Sequence, residues 1–130
     1  MIIHAHATKL WEVLTSAAYT EQFLVEGRIA CDWVEGGPIF LIQEQGVHNQ
    51  VSTIGKVQGV KPGSSLSYSL SALNEFIREP VLFHYELFAA EDSTRLILSQ
   101  EVALAAEDFR LLNEHGKAML QKIKWLAEYS

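Results

Sequence analysis

The 130-residue sequence predicts an α+β fold, with one long helix lying against a strongly bent, one-sided antiparallel sheet. Three observations predict it. Apolar and polar residues alternate with a period of two through the middle of the chain, the last quarter changes to helical spacing, and two short helical segments come before the sheet. A chain of this length, folded as one domain over 1–130, buries roughly two-thirds of the surface its unfolded form exposes. With 48% hydrophobic and 20% charged residues and no low-complexity stretch, a single core is expected.

The elements follow in order. After a short strand at 1–5, Leu10, Trp11 and Leu14 recur at helical spacing over 8–14 with Thr8 as cap, and Tyr19, Phe23 and Leu24 do so over 17–24. Two helices so short bury little by themselves, so they are expected to plug one end of something larger. "CDWV", a turn at Gly36, Gly37 and Pro38, and "IFLIQE" then read as a hairpin. A strand over 51–60 sets Thr53, Gly55, Val57 and Gly59 on one face; these small residues either leave volume for a cavity or mark bulges. "KPGS" suits a type II turn, with Pro62 and Gly63 at its centre.

The next three strands carry the clearest alternation. Leu66, Tyr68 and Leu70 alternate with serines; Val81, Phe83, Tyr85 and Leu87 share a face opposite His84 and Glu86; Leu96, Leu98, Gln100 and Val102 line up behind them. The connection from Ser71 to Pro80 has no assigned element. Over 107–129, Phe109, Leu112, Gly116, Met119, Leu120, Ile123 and Leu126 form one stripe of a helix about 33 Å long. Glu107 and Asp108 in its first turn, and Lys122 and Lys124 toward its last, suit the helix dipole.

Charge and cysteine content narrow the partners. A net charge of −6, with ten basic residues spread along the chain, disfavours nucleic acid and anionic membrane surfaces, which require clustered Lys and Arg. Cys31 is the one cysteine, so no internal disulfide forms. No secretory leader or membrane-spanning run is visible, and a cytoplasmic location is the expectation.

Five stretches in chain order carry a resemblance: "ATKLWEVLTSAAYTEQF", "GKVQGVKPGSSLSYSL", "PVLFHYEL", "STRLILSQEV" and "HGKAMLQKIKWLAEY". Together they resemble the superfamily that joins birch-pollen-allergen-type proteins, START lipid-transfer domains and polyketide cyclases (SRPBCC). Within it, the branch named after the activator of the ninety-kilodalton heat-shock chaperone's ATPase is the most similar. The resemblance implies a helix-grip fold with an internal pocket for apolar small molecules. Three positions depart from the family pattern: Ala5-His6-Ala7 replaces Ala-Pro before the first helix, Phe23 stands where tryptophan is common, and Lys117 follows Gly116 where Gly-Trp is frequent. The last alters the expected pocket rim, so a relative's ligand preference does not transfer.

The expected pocket lies between the long helix and the sheet, lined by Trp33, Tyr68, Phe83, Tyr85, Gln100, Leu112, His115 and Met119. Gln100 and the tyrosine hydroxyls are polar groups on apolar faces, and each needs a partner in protein, water or ligand. His115 sits beside the helix stripe and titrates near neutrality, so it is placed to meet a ligand's polar group. His4 and His6 alternate as strand residues sharing a face, but no third ligand accompanies them, and no metal or cofactor is expected. No nucleophile elbow, phosphate loop or dinucleotide fingerprint is present.

The function expected is therefore binding of an apolar or amphipathic small molecule. Two other readings stand beside it: a chaperone-associated interaction module, and a cyclase or hydrolase on the same fold that uses His115 or Tyr85. Pairing through an exposed edge strand offers a route to a homodimer.

Overall fold

The computed structural model describes residues 1–24, 28–45, 47–71, 80–101 and 106–130. Seven strands form one antiparallel sheet: β1 (Ile2–Ile3), β2 (Arg28–Ala30), β3 (Pro38–Gln45), β4 (His48–Lys61), β5 (Ser65–Leu70), β6 (Val81–Ala89) and β7 (Thr94–Glu101), in the order β1-β7-β6-β5-β4-β3-β2. Helices α1 (Ala7–Thr15) and α2 (Ala17–Phe23) follow β1, and α3 (Ala106–Tyr129) ends the chain. This is the α+β helix-grip arrangement.

The strand order explains the opening pair of helices. β1 and β2 occupy opposite edges of the sheet, so the chain between them must cross its width, on the order of 29 Å for six inter-strand steps. Helices of nine and seven residues together supply about 24 Å of that path. Their apolar sides, Leu10, Val13 and Leu14 in α1 and Phe23 in α2, are buried on the way, and both helices pack against α3. The α1 cap is His6 rather than Thr8, and neither helix has a side-chain cap bond.

Curvature comes from β4. Its register against β3 slips at Ile54 and its register against β5 slips at Gln58, so each place carries one extra residue that bends the strand. The slips also change which residues share a face. Val57 stands opposite buried Tyr68, whereas Gly59 stands opposite Ser67 on the outer face. Thr53, Gly55, Val57 and Gly59 therefore do not form the continuous inner face that a regular strand would give. Gly55 is fixed by close approach, since a Cβ there would lie 1.9 Å from the Ser69 carbonyl oxygen.

Other expectations shift locally. "CDWV" is not a strand: β2 ends at Ala30, and Trp33 adopts the left-handed region with φ 53°. His4 and His6 lie beyond β1 and share no strand face; the His4 amide donates to Glu128 Oε2 at 2.9 Å. The KPGS turn forms as expected, with Gly63 at φ +76° and the Ser64 amide bonded to the Lys61 carbonyl.

In α3 the stripe buries Leu112, Gly116, Met119, Ile123, Leu126 and Ala127, with Leu120 half-buried. Lys124 does not serve the helix dipole in the last turn. It donates to Glu128 at 2.6 Å and to the Ile2 carbonyl at 2.8 Å, which fastens the helix to β1. Val102, the connection 72–79, and the side chains of Glu107, Asp108 and Phe109 lie outside the described residues. No described helix is long and apolar enough to cross a membrane.

Candidate functional site

The inner face of the sheet is built in cross-strand rows. One row runs Val57, Tyr68, Phe83, Gln100; the next runs Val60, Leu66, Tyr85, Leu98. Strand alternation points all of these toward α3, while Ser67, Ser69, Leu82 and His84 take the other face. Tyr68, Phe83 and Tyr85 are fully buried.

Four of the eight expected residues make one aromatic cluster. Tyr68 is at its centre, with ring centroids 5.5 Å from Trp33, 5.4 Å from Phe83 and 5.8 Å from Tyr85. Trp33 meets Tyr68 edge-on, at 64°, from the loop after β2. The left-handed backbone at Trp33 costs a side chain about 1–3 kcal/mol, and packing of the indole against the cluster offsets that cost.

The two tyrosine hydroxyls lie 2.9 Å apart and bond each other. Burial raises both pKa values above the ordinary phenol range, and for Tyr68 a charge on Tyr85 would add to the effect. Both phenols therefore stay neutral across the physiological range. Such a pair uses one O–H proton in the mutual bond. The other has no oxygen or nitrogen acceptor among the described residues.

The remaining four residues meet along α3. Leu112 and Met119 are buried in the stripe, and His115 flanks it, half-buried. Gly116 faces the Gln100 side chain closely: a Cβ on Gly116 would lie 2.5 Å from Oε1 and 3.3 Å from Nε2. A glycine inside a helix costs about 1 kcal/mol relative to alanine, and here it lets α3 approach β7. Along this seam two buried polar atoms, Gln100 Nε2 and His115 Nδ1, have no hydrogen-bond partner among the described residues. Burial, and secondarily the charge of Lys122, lowers the His115 pKa, so the ring is neutral at neutral pH.

Grooves lined by described residues also occur elsewhere. One of about 340 Å³ runs between α2 and α3 (Gln22, Gln121, Lys122, Trp125, Leu126), one of about 220 Å³ surrounds Cys31, and a shallow one of about 510 Å³ lies on the outer face around Gln58 and Ser67. None of the eight expected residues lines any of them. Burial raises the Cys31 pKa, keeping the thiol protonated.

Two arrangements escaped the sequence reading. Ser67 Oγ bonds His84 Nδ1 across β5 and β6, and His84 Nε2 lies 3.7 Å from Glu86, too far for a directed hydrogen bond. Strand register brings these residues together, and register is not visible in one strand alone. Trp125 and Tyr129, 58% and 72% exposed, pack together at 6.2 Å on α3. Their position off the apolar stripe was the available signal.

A seven-stranded bent sheet gripping a terminal helix, with an apolar inner face that carries a few polar groups, defines the helix-grip class. The sequence matches the family model described as activator of Hsp90 ATPase homolog 1-like protein over residues 4–128, and the chain belongs to that family. No curated protein matches it. Among solved structures, it is similar to MLL2253 from Mesorhizobium loti, with a TM-score of 0.75 at 16% identity over 97% of this chain and 94% of that one. The Aha1 dimer from Colwellia psychrerythraea gives 0.69 at 14% identity, over 99% and 92%. DynU16, a protein of the dynemicin biosynthetic locus, gives 0.74 at 15% identity over 97% of this chain and 45% of DynU16. At these identities the likeness establishes the fold alone.

Proposed function

We propose that this chain, folded as one domain, binds an apolar or amphipathic small molecule between α3 and the concave face of the sheet. The observation that carries the reading is the pair of partnerless buried atoms on facing elements, Gln100 Nε2 and His115 Nδ1. A buried polar group left unpaired costs about 1–3 kcal/mol, and a guest with a complementary group removes that cost. The apolar walls are Tyr68, Phe83, Leu112 and Met119, all buried, with Trp33 half-buried beside them.

The test is occupancy. Leu112→Trp adds bulk between helix and sheet; it is expected to abolish uptake of a solvatochromic apolar dye while circular dichroism stays native. Unchanged dye binding by a folded Leu112→Trp protein places the guest elsewhere. Native mass spectrometry of the chain purified from its own host then gives the mass of any retained ligand.

A second reading, association with another protein chain, is favoured by the exposed Trp125–Tyr129 pair beside the α2/α3 groove. The family's description names an activator of Hsp90 ATPase, and one structural neighbour is an Aha1 dimer. Retention on immobilised Hsp90, or a dimer mass in light scattering that Trp125→Ser abolishes, supports it.

A further inference from the structure

The polar atoms along the α3/β7 seam restrict the kind of guest, an inference that rests on the binding reading above. As placed, Gln100 turns Oε1 toward Gly116 and carries two N–H donors on its partnerless Nε2. Tyr85 stands opposite Leu98, a diagonal neighbour of Gln100 at about 7–8 Å, and its pair with Tyr68 has one unused O–H proton. His115 Nδ1 serves as donor or acceptor according to its tautomer. Of the two buried atoms left without a partner, Gln100 Nε2 can only donate.

Fixed charge does not accompany them. Among the described residues the buried polar side chains outside the tyrosines are Thr20 and Thr94, and each hydroxyl already donates to a backbone carbonyl, of Ala17 and Ala5. The one described charged side chain that is nearly buried, Glu128 at 9% exposure, is already held by Lys124 and the His4 amide, and Lys122 and Lys117 are exposed. An ionised carboxylate, sulfonate or phosphate entering this layer would lose its hydration without meeting a fixed positive charge among the described residues. A carbonyl oxygen offers two lone pairs and no charge, so it matches the unpaired Gln100 Nε2 in a neutral setting.

We propose that the guest is an uncharged apolar molecule whose polar end is a ketone-, ester- or quinone-type carbonyl, accepting hydrogen bonds from Gln100 Nε2. Carboxylates with the same apolar body, fatty acids included, are discriminated against.

The probes are prodan, a neutral dimethylaminonaphthyl ketone whose emission reports hydrogen bonding to its carbonyl, and the carboxylic acid built on the same ring system. They are titrated at about pH 8, where the acid is ionised. The wild type is expected to bind the ketone at least about tenfold more tightly than the acid, and Gln100→Leu to lose that preference. Gln100→Met, which keeps an unbranched side chain without the amide, replaces Gln100→Leu if that variant misfolds. Equal affinities, preference for the acid, or a ketone preference that survives loss of the amide overturns the carbonyl assignment and leaves the pocket standing. Ketone binding that persists in Leu112→Trp, or binding of neither probe by the wild type, overturns the pocket and the carbonyl assignment together.

Discussion

Two polar spots on the same apolar face solve the problem of burial differently. The Tyr68 and Tyr85 hydroxyls satisfy each other at 2.9 Å inside a cluster of rings, and burial keeps both neutral. At the β7 end of the Tyr68 row, Gln100 faces α3 with Nε2 unpaired, and His115 beside Gly116 leaves Nδ1 unpaired. The first spot is closed on itself apart from one O–H proton and reads as structure. The second keeps two buried atoms without a partner among the described residues, and the proposed binding site rests on them.

Breaking the closed spot gives the largest expected effect. Tyr85→Phe removes one hydroxyl and strands the other in the core, costing about 1–3 kcal/mol. Removing both hydroxyls together, with Tyr68→Phe added, is expected to cost less than the single change, because no orphan remains. Chemical denaturation across the four combinations measures this as a coupling energy. Strictly additive losses would mean that the two hydroxyls do not act as a pair.

The open spot is expected to respond in the opposite sense. Gln100→Leu removes the buried, unpartnered Nε2 and adds apolar contact, so stability rises by about 1 kcal/mol in the empty protein even as ketone affinity falls. Thermal unfolding with and without the ketone probe separates these effects: the variant melts higher alone and gains less from the probe.

Gly116→Ala is smaller again and sharpens the geometry. Alanine gains about 1 kcal/mol of helix propensity, while its Cβ would press on the movable end of Gln100 rather than on backbone. The two effects nearly cancel, and the expected net stability change is within about 0.5 kcal/mol by denaturation. Ketone binding weakens, because the amide must turn away from the helix. A large destabilisation would instead mean that Gln100 is held rigidly in place.

The two spots were unequally legible in the sequence. Strict alternation in "LSYSL" and "VLFHYELF" placed Tyr68, Phe83 and Tyr85 on one inner face, because residues two apart share a side of any strand. The stripe of Leu112, Gly116 and Met119 was equally plain. The tyrosine bond was not, since it depends on the pairing of β5 with β6 across 17 residues. The bulges at Ile54 and Gln58 were visible only as glycines with two readings, and the one at Gln58 moved Gly59 to the outer face. Trp33 reached its expected neighbour by a different route, from a loop with a left-handed backbone rather than from a strand, because apolar content in "CDWV" signals burial without fixing conformation.

The smallest expected effect separates the two spots by pH. Both phenols stay protonated throughout the accessible range, so the closed spot contributes no pH dependence near neutrality. His115 does. Burial first, and Lys122 on its own helix second, lower its folded pKa below the unfolded value, and the Gln100 amide on facing β7 has no charge to oppose that. Well above the unfolded pKa of about 6.5 the ring is neutral in both states and its contribution to stability is fully present. As pH falls through that value the unfolded chain takes up a proton that the folded chain resists. Stability is then lost progressively until the folded ring is also protonated. Against His115→Gln, which does not titrate, the wild type is expected to lose stability between about pH 7.5 and pH 5 in urea denaturation. A guest that bonds to neutral Nδ1 lowers the folded pKa further and steepens the loss. If prodan leaves the pH profile unchanged while remaining bound, His115 lies at the edge of the seam and Gln100 alone meets the guest.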